Sequence, residues 1–196
     1  MPYLRPLALL LLIVSLAGAE DWLQFRGPNC SGVYWSDRSL PVTFSEPEEG
    51  PSENVAWSVP LGDAVSSPVV AAGRVFTNAM VGDQRVALYG FDAVTGEQLW
   101  SREWETGTLG KIGGVNSHAS STPVADDERV YFYFPTLGML AVDAETGADV
   151  WQMPMPNPFV AFGWGLGASP VLYRDMLLFC QDDDLYPALH AFDKRT

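Results

Sequence analysis

The feature that constrains this chain most is a turn that occurs three times. Each copy contains Asp-x-x-Thr-Gly or its beginning, in which the aspartate can accept hydrogen bonds from turn N–H groups and the glycine supplies a positive φ without steric cost. Its aspartate, glycine and following tryptophan are Asp92, Gly96 and Trp100, then Asp143, Gly147 and Trp151, and finally Asp193 in a copy that runs to Thr196. The aspartates recur about every fifty residues, which indicates a repeat protein.

Each turn belongs to a unit with the same succession of strand patterns. A Ser/Thr-Pro-Val segment is followed by a second apolar run, which opens seven positions after the proline, as Val75 does after Pro68. A third run leads into the turn, and the tryptophan-bearing run leaves it. Four short strands in about fifty residues match a β-propeller blade. The sequence therefore predicts an all-β propeller of four-stranded antiparallel blades over 66–107 and 120–156, with an incomplete blade over 168–196.

Two segments flank these units on the N-terminal side. Residues 54–61 alternate apolar and polar side chains like the runs that carry Trp100 and Trp151, so we predict an outer strand there. Residues 20–53 mix aromatic and turn-forming residues and end in an acidic connector, which predicts an irregular arm. Because a sheet with two apolar faces must pack against neighbours, Trp100 and Trp151 are predicted to fill the gaps between blades.

The first residues have the order of a secretory signal peptide. Arg5 precedes an apolar run over 7–16, and the small residues Ala17-Gly18-Ala19 follow it. The apolar run is too short to span a bilayer comfortably. Residues 1–19 are therefore predicted to be a signal peptide of a secreted or periplasmic protein, and a membrane anchor is the alternative.

Charge and cysteine content limit the possible partners and compartments. The formal net charge is −13, which argues against nucleic acid or an anionic membrane as a partner. Cys30 and Cys180 could form one disulfide in an oxidising compartment. Nothing in the sequence places the two cysteines together, so two partly buried thiols are the alternative.

No recognisable motif points to catalysis or to a metal. The densest carboxylate group, Asp182-Asp183-Asp184, falls between two predicted strands and is interpreted as a solvated loop rather than a cation site. Gly163, Gly165 and Gly167 lack the helix pattern of a nucleotide fingerprint and are interpreted as β-hairpin punctuation. His190 alternates within a predicted strand and is interpreted as a structural histidine, because a catalytic base needs a partner within reach.

Propeller geometry indicates where a ligand would bind. The first strand of each blade is the innermost, so the segments that lead into it, 62–66, 111–121 and 157–168, should line one mouth of the central channel. The residues there best suited to polar or stacking contacts are Asn116, His118 and Trp164. Ordinary loop residues are the alternative interpretation, since a site must be argued from its chemistry and not from its fold.

The succession Ser-Pro-Val, Arg-Val and Ala-Val-Asp-x-x-Thr-Gly-x-x-x-Trp resembles the pyrroloquinoline quinone (PQQ) repeat. The segments 22–29 and 31–33 also resemble the start of secreted bacterial PQQ-like proteins. The resemblance covers residues 22–196 and implies the quinoprotein alcohol dehydrogenase-like superfamily, whose propellers are commonly eight-bladed. WD40 and kelch repeats are the runner-up propellers, but the Trp-Asp dipeptide and the paired glycines of those repeats are missing here.

Two function classes follow from this resemblance. The first is a non-catalytic scaffold, such as the propeller of the outer-membrane protein assembly machinery. The second is a PQQ-dependent alcohol or sugar dehydrogenase, which holds PQQ and Ca²⁺ with a Glu/Asn/Asp set, an aromatic platform and often adjacent cysteines. The two cysteines here lie far apart, and Ca²⁺ needs about six to eight oxygen ligands.

We therefore expect a binding or scaffolding module that holds no cofactor or metal, with a protein, small-molecule or carbohydrate ligand. The alternative is a dehydrogenase whose cofactor ligands lie beyond Thr196. The incomplete third turn also leads us to expect an N-terminal fragment of a longer propeller, which forms an open arc. Its exposed strand edges would favour aggregation, so we expect poor solubility of residues 20–196 alone.

Overall fold

The computed structural model describes residues 21–35, 39–46 and 52–196, and the predicted signal peptide over 1–19 lies outside them. The first blade comprises β1 (Val69–Ala71), β2 (Arg74–Val81), β3 (Arg85–Asp92) and β4 (Gln98–Glu105). The second comprises β5 (Val124–Ala125), β6 (Arg129–Phe134), β7 (Gly138–Asp143) and β8 (Asp149–Met153). The third comprises β9 (Val171–Tyr173), β10 (Met176–Gln181) and β11 (Ala188–Asp193).

Helical structure among the described residues is limited to two 3₁₀ turns, Pro28–Cys30 and Ala161–Gly163. Within the same ranges, no helix has the length and apolar character needed to cross a membrane.

The three sheets are copies of one antiparallel blade. In each sheet the paired strands are consecutive in the chain. Arg74 faces Asp92 across β2 and β3, and Arg129 faces Asp143 at the same point of the second blade. The inner strand β1 contacts β5, and β5 contacts β9. The predicted all-β architecture of antiparallel blades in an open, partial propeller is therefore confirmed.

The repeated turn is held by its aspartate. Asp92 Oδ1 accepts a hydrogen bond from the backbone N–H of Thr95 at 2.7 Å, and Asp143 Oδ1 accepts the corresponding bond from Thr146 at 2.8 Å. The threonine hydroxyls donate to the same oxygens, at 2.9 and 2.7 Å. Because these bonds favour the ionised carboxylate, the backbone N–H of Thr95 holds the pKa of Asp92 below its ordinary value, and the hydroxyl of Thr146 does the same for the pKa of Asp143.

A tryptophan from the preceding unit covers each turn. Its indole Nε1 donates to the carbonyl oxygen of the residue directly after the turn aspartate. The donor and acceptor pairs are Trp57 with Ala93 at 3.1 Å, Trp100 with Ala144 at 3.2 Å, and Trp151 with Lys194 at 3.3 Å. A Cβ on Gly96 or Gly147 would lie 2.6 Å from the ring that covers it, and both glycines have positive φ, at 72° and 70°. Close packing and backbone conformation therefore both require glycine at these two positions.

The apolar core lies between the blades. Strand β6 divides its side chains between two neighbours, because successive residues of a strand point to opposite faces. Phe132 and Phe134 join the cluster shared with the first blade, whereas Tyr131 and Tyr133 join the cluster shared with the third. All four side chains are buried. The middle blade is therefore covered on both faces, as stacked repeats require.

The outer strand predicted over 54–61 does not form. No β-ladder includes these residues, and the isolated bridges nearby join Ser45 to Glu53 and Asp63 to Met80. An outer strand needs the third strand of its own blade as a hydrogen-bonding partner, and no strand among the described residues pairs with this segment. Trp57 of this segment nevertheless covers the first turn as Trp100 covers the second.

The N-terminal arm lies along the inner edges of the first two blades. The backbone of Trp22 exchanges two hydrogen bonds with Val70 of β1, at 2.8 and 2.9 Å, and the carbonyl of Leu23 accepts one from Ala125 of β5 at 2.9 Å. Since β1 pairs with β2 along its other edge, the arm occupies the channel side of the sheet. Cys30 of the arm and Cys180 of β10 form no disulfide and are both exposed, so the interpretation as partly buried thiols is wrong.

The docking of Trp100 predicts a large effect of its removal. Trp100→Ala deletes a side chain that is 9% exposed and leaves the carbonyl of Ala144 without its indole donor. We expect the free energy of unfolding to fall by about 3–5 kcal/mol, measured by urea denaturation at low protein concentration. Trp35→Ala is the control, because that ring is 85% exposed and its loss should change stability by less than about 0.5 kcal/mol. Equal effects of the two substitutions would contradict the docking role.

Candidate functional site

Two long loops meet at the channel mouth predicted from the sequence. One joins β4 to β5 and the other joins β8 to β9. Hydrogen bonds connect them directly: Gly113 N–H to the Gly163 carbonyl at 2.9 Å, Ser121 Oγ to the Ala168 carbonyl at 2.8 Å, and Asn116 Nδ2 to the Trp164 carbonyl at 2.5 Å. The segments 111–121 and 157–168 therefore form one continuous surface.

All three predicted site residues lie on this surface, and each has a different environment. Asn116 uses its amide donor to hold the backbone at Trp164. The ring of Trp164 is 65% exposed, so it is available for stacking. His118 is half-buried and lines two neighbouring clefts. The ligand-facing role of Asn116, His118 and Trp164 stays a prediction.

The two clefts on either side of His118 offer polar groups. One has a volume of about 140 Å³ and is lined by Lys111 and Thr136, among others. The hydroxyl of Thr136 is buried and has no hydrogen-bond partner among the described residues. The other cleft, of about 520 Å³, lies towards the first blade and is lined by Asp63 and Asp83. The mouth thus combines an ammonium, a hydroxyl, an imidazole and carboxylates.

Several exposed aromatic side chains that sequence reasoning missed lie in the loop before β9 and in the turn between β10 and β11. Phe162 is 94% exposed and Phe159 is 53% exposed in the loop before β9, and Tyr186 is 80% exposed in the turn between β10 and β11. Phe162 has a φ of 61°, which is unfavourable for a bulky residue and persists only where the surroundings hold it. The sequence feature that could have revealed them is the presence of three aromatic residues, Phe159, Phe162 and Trp164, within six positions.

Two carboxylates of the third blade anchor this aromatic loop. Asp183 accepts backbone hydrogen bonds from Phe159 at 3.2 Å and from Tyr186 at 2.9 Å. Asp184 accepts one from Ala161 at 2.7 Å. The backbone N–H of Tyr186 holds the pKa of Asp183 below its ordinary value, because the bond favours the ionised carboxylate. The interpretation of Asp182-Asp183-Asp184 as a solvated loop is therefore wrong for Asp183, which is 7% exposed.

The glycines of the same loop are not hairpin punctuation. Residues 157–167 form no β-pairs, so that interpretation of Gly163, Gly165 and Gly167 is wrong. Gly163 and Gly165 have positive φ, at 66° and 81°. A Cβ on Gly165 would lie 2.7 Å from Ile112 Cδ1. These two glycines allow the two mouth loops to approach each other closely.

The carboxylates in the described ranges do not form a cluster of metal ligands. No group of three or more His, Cys, Asp or Glu residues in these ranges could hold a metal ion, and Ca²⁺ takes about six to eight oxygen ligands. Asp183 and Asp184 already accept backbone hydrogen bonds. His190, the other histidine, stacks on Phe192 with ring centroids 5.4 Å apart. The described residues therefore form no cluster of Ca²⁺ ligands, and the expectation that this chain holds no PQQ stays a prediction.

The repeated blades, their aspartate turns and the docked tryptophans define a PQQ-like β-propeller repeat protein. A family model described as outer membrane protein assembly factor BamB matches residues 49–195. The chain belongs to that family. The resemblance to PQQ-like propellers that was stated from the sequence is thereby confirmed.

Known proteins that are similar to this chain include two proteins named BamB and one dehydrogenase. The outer membrane protein assembly factor BamB of Burkholderia pseudomallei (strain K96243) is 27% identical over 151 residues, which are 74% of this chain and 37% of the relative. The chain thus spans little more than a third of that relative's length.

Two solved structures are also similar. BamB from Moraxella catarrhalis has a TM-score of 0.43 at 19% identity, with 71% of this chain and 36% of that chain covered. A europium-containing methanol dehydrogenase has a TM-score of 0.45 at 17% identity, with 66% and 22% covered.

The anchoring of the aromatic loop predicts a pH dependence. Since the folded-state pKa of Asp183 is lowered, its hydrogen bonds contribute stability above the unfolded-state pKa, and this contribution is lost as pH falls through the folded-state pKa. We expect the fluorescence of Trp164 and the amide exchange of Phe159 to change below about pH 4. Asp183→Asn should remove this transition, whereas Asp182→Asn, at an exposed neighbour, should preserve it. An unchanged transition in Asp183→Asn would contradict the anchoring role.

Proposed function

We propose that this chain is a non-catalytic binding or scaffolding module of the cell envelope or exterior, and that it binds its ligand at the mouth formed by 111–121 and 157–168. The observation that carries the proposal is the presentation of exposed rings by a loop that is hydrogen-bonded on two sides. Gly113 and Asn116 hold it from the loop between β4 and β5, and Asp183 and Asp184 hold it from the third blade. A surface organised before binding loses less conformational entropy when a ligand arrives.

Two observations support a location in the envelope or exterior. Residues 1–19 have the charged, apolar and small-residue order of a signal peptide. The curated relative is named an outer membrane protein assembly factor. The net charge of −13 disfavours nucleic acid and anionic membranes. We propose a protein, small-molecule or carbohydrate ligand as the partner.

The surroundings of His118 support a binding role over acid–base catalysis. A catalytic base is normally oriented by a hydrogen-bonded partner. His118 lies on the wall between the two clefts and makes no hydrogen bond to a carboxylate within the described ranges. Asp63 and Asp83 line the cleft towards the first blade and leave His118 open to a ligand.

The alternative, a PQQ-dependent alcohol or sugar dehydrogenase with cofactor ligands beyond Thr196, is tested by adding PQQ and Ca²⁺. We expect no change in PQQ absorbance or fluorescence with the complete protein, and no reduction of an artificial electron acceptor when alcohols or sugars are supplied. Ca²⁺ without PQQ is the control. PQQ binding in the low-micromolar range, about −8 kcal/mol, with substrate-dependent acceptor reduction would overturn the binding-module proposal.

A further inference from the structure

Small and charged residues lie among the exposed rings of the mouth. Gly163 separates Phe162 from Trp164 in the chain, and the exposed carboxylates of Asp182 and Asp184 lie in the turn that anchors the loop. The core of a protein–protein interface is depleted of charged residues and is more continuously apolar. The mouth is therefore better suited to a ligand that needs both stacking surfaces and hydrogen bonds than to a flat apolar partner.

The backbone around the rings is held in place independently of any ligand. Phe162 keeps a positive φ of 61° because the residues on both sides are fixed: Ala161 donates to Asp184 at 2.7 Å, and the Gly163 carbonyl accepts from Gly113 at 2.9 Å. Backbone strain of this kind clusters at ligand-binding sites. These hydrogen bonds hold the backbone that carries this ring, which is 94% exposed, at a defined position on the surface.

The polar groups of the smaller cleft match a ligand rich in hydroxyl groups, and Gly163 and Gly165, which flank Trp164 in the chain, line the same cleft. Lys111 and His118 line the smaller cleft, and the Thr136 hydroxyl at its wall has no hydrogen-bond partner among the described residues. The larger cleft adds the carboxylates of Asp63 and Asp83. Donors and acceptors of both kinds can satisfy hydroxyl groups, each of which donates one hydrogen bond and accepts up to about two.

We propose that the mouth binds a neutral oligosaccharide, with Trp164 and Phe162 stacking on the C–H faces of sugar rings and with Lys111, Thr136 and His118 as hydrogen-bonding partners. This inference rests on the proposed function of the same mouth. An aromatic face carries partial negative charge that attracts the polarised C–H groups of a pyranose. The carboxylates around the mouth and the net charge of −13 repel anionic glycans and anionic lipids.

Isothermal titration calorimetry and tryptophan fluorescence with cellohexaose and chitohexaose test the proposal. We expect at least one of these neutral hexasaccharides to bind, and Trp164→Ala to weaken the binding by about tenfold, the effect of losing one stacking contact. Trp35→Ala removes an equally large ring that is 85% exposed in the arm and should leave the binding unchanged. Polygalacturonate and phosphatidylcholine vesicles serve as anionic-glycan and membrane probes.

A second variant separates binding from folding. Phe162→Gly removes the ring but suits the positive φ, because glycine adopts this conformation without a Cβ penalty. We expect the melting temperature to stay the same or rise while binding of the hexasaccharide weakens. Asp184→Ala should also weaken binding by releasing the loop, whereas Asp182→Ala makes the same change of charge at an exposed neighbour and should have little effect.

The proposal is overturned if neither neutral hexasaccharide binds, or if Trp164→Ala and Phe162→Gly bind as tightly as the unmodified protein. Vesicle binding that depends on Trp164 without hexasaccharide binding would also overturn it and assign the rings to lipid. If the hexasaccharide tests fail and PQQ also does not bind, only the oligosaccharide is rejected as the ligand, and the proposed binding module is not. PQQ-dependent substrate oxidation would instead remove the binding-module function itself.

Discussion

The indole N–H of Trp100 donates to the carbonyl of Ala144 across the boundary between two blades, and the rest of the structure depends on contacts of this kind. The aspartate turn aims the carbonyl, the turn glycine makes room for the ring, and the preceding outer strand supplies the tryptophan. The same indole-to-carbonyl hydrogen bond recurs with Trp57 and Trp151. Since each blade has two apolar faces, these contacts set the spacing at which both faces become buried.

The mouth depends on that spacing because its loops belong to different blades. The loop before β9 leaves the second blade, yet it is anchored by carboxylates of the third and by the loop that leads into the second. A change in the angle between blades would alter the hydrogen bonds of Gly113 and Asp183 together. The positive φ of Phe162 and the exposure of Trp164 follow from these cross-blade contacts, so the repeated framework positions the candidate site.

Sequence reasoning reached the fold because the repeat is local and periodic. The spacing from Asp92 to Trp100 and from Asp143 to Trp151 is visible in the chain, and each turn is stabilised by residues that are neighbours in sequence. The role of Asp183 was missed because its partner Phe159 lies in another loop, which only the packing of blades brings near. The strand predicted over 54–61 did not form, since its alternating pattern says nothing about whether a pairing partner is present.

Indole hydrogen exchange measured by ¹H–¹⁵N NMR tests the docking account most directly, because it reports separately on each of the seven tryptophans. The account predicts slow exchange for Trp57, Trp100 and Trp151, whose N–H groups donate to backbone carbonyls. It predicts fast exchange for Trp35 and Trp164, whose rings are 85% and 65% exposed. Exchange of the first three indoles as fast as that of Trp35 would contradict the claim that they lock successive units together.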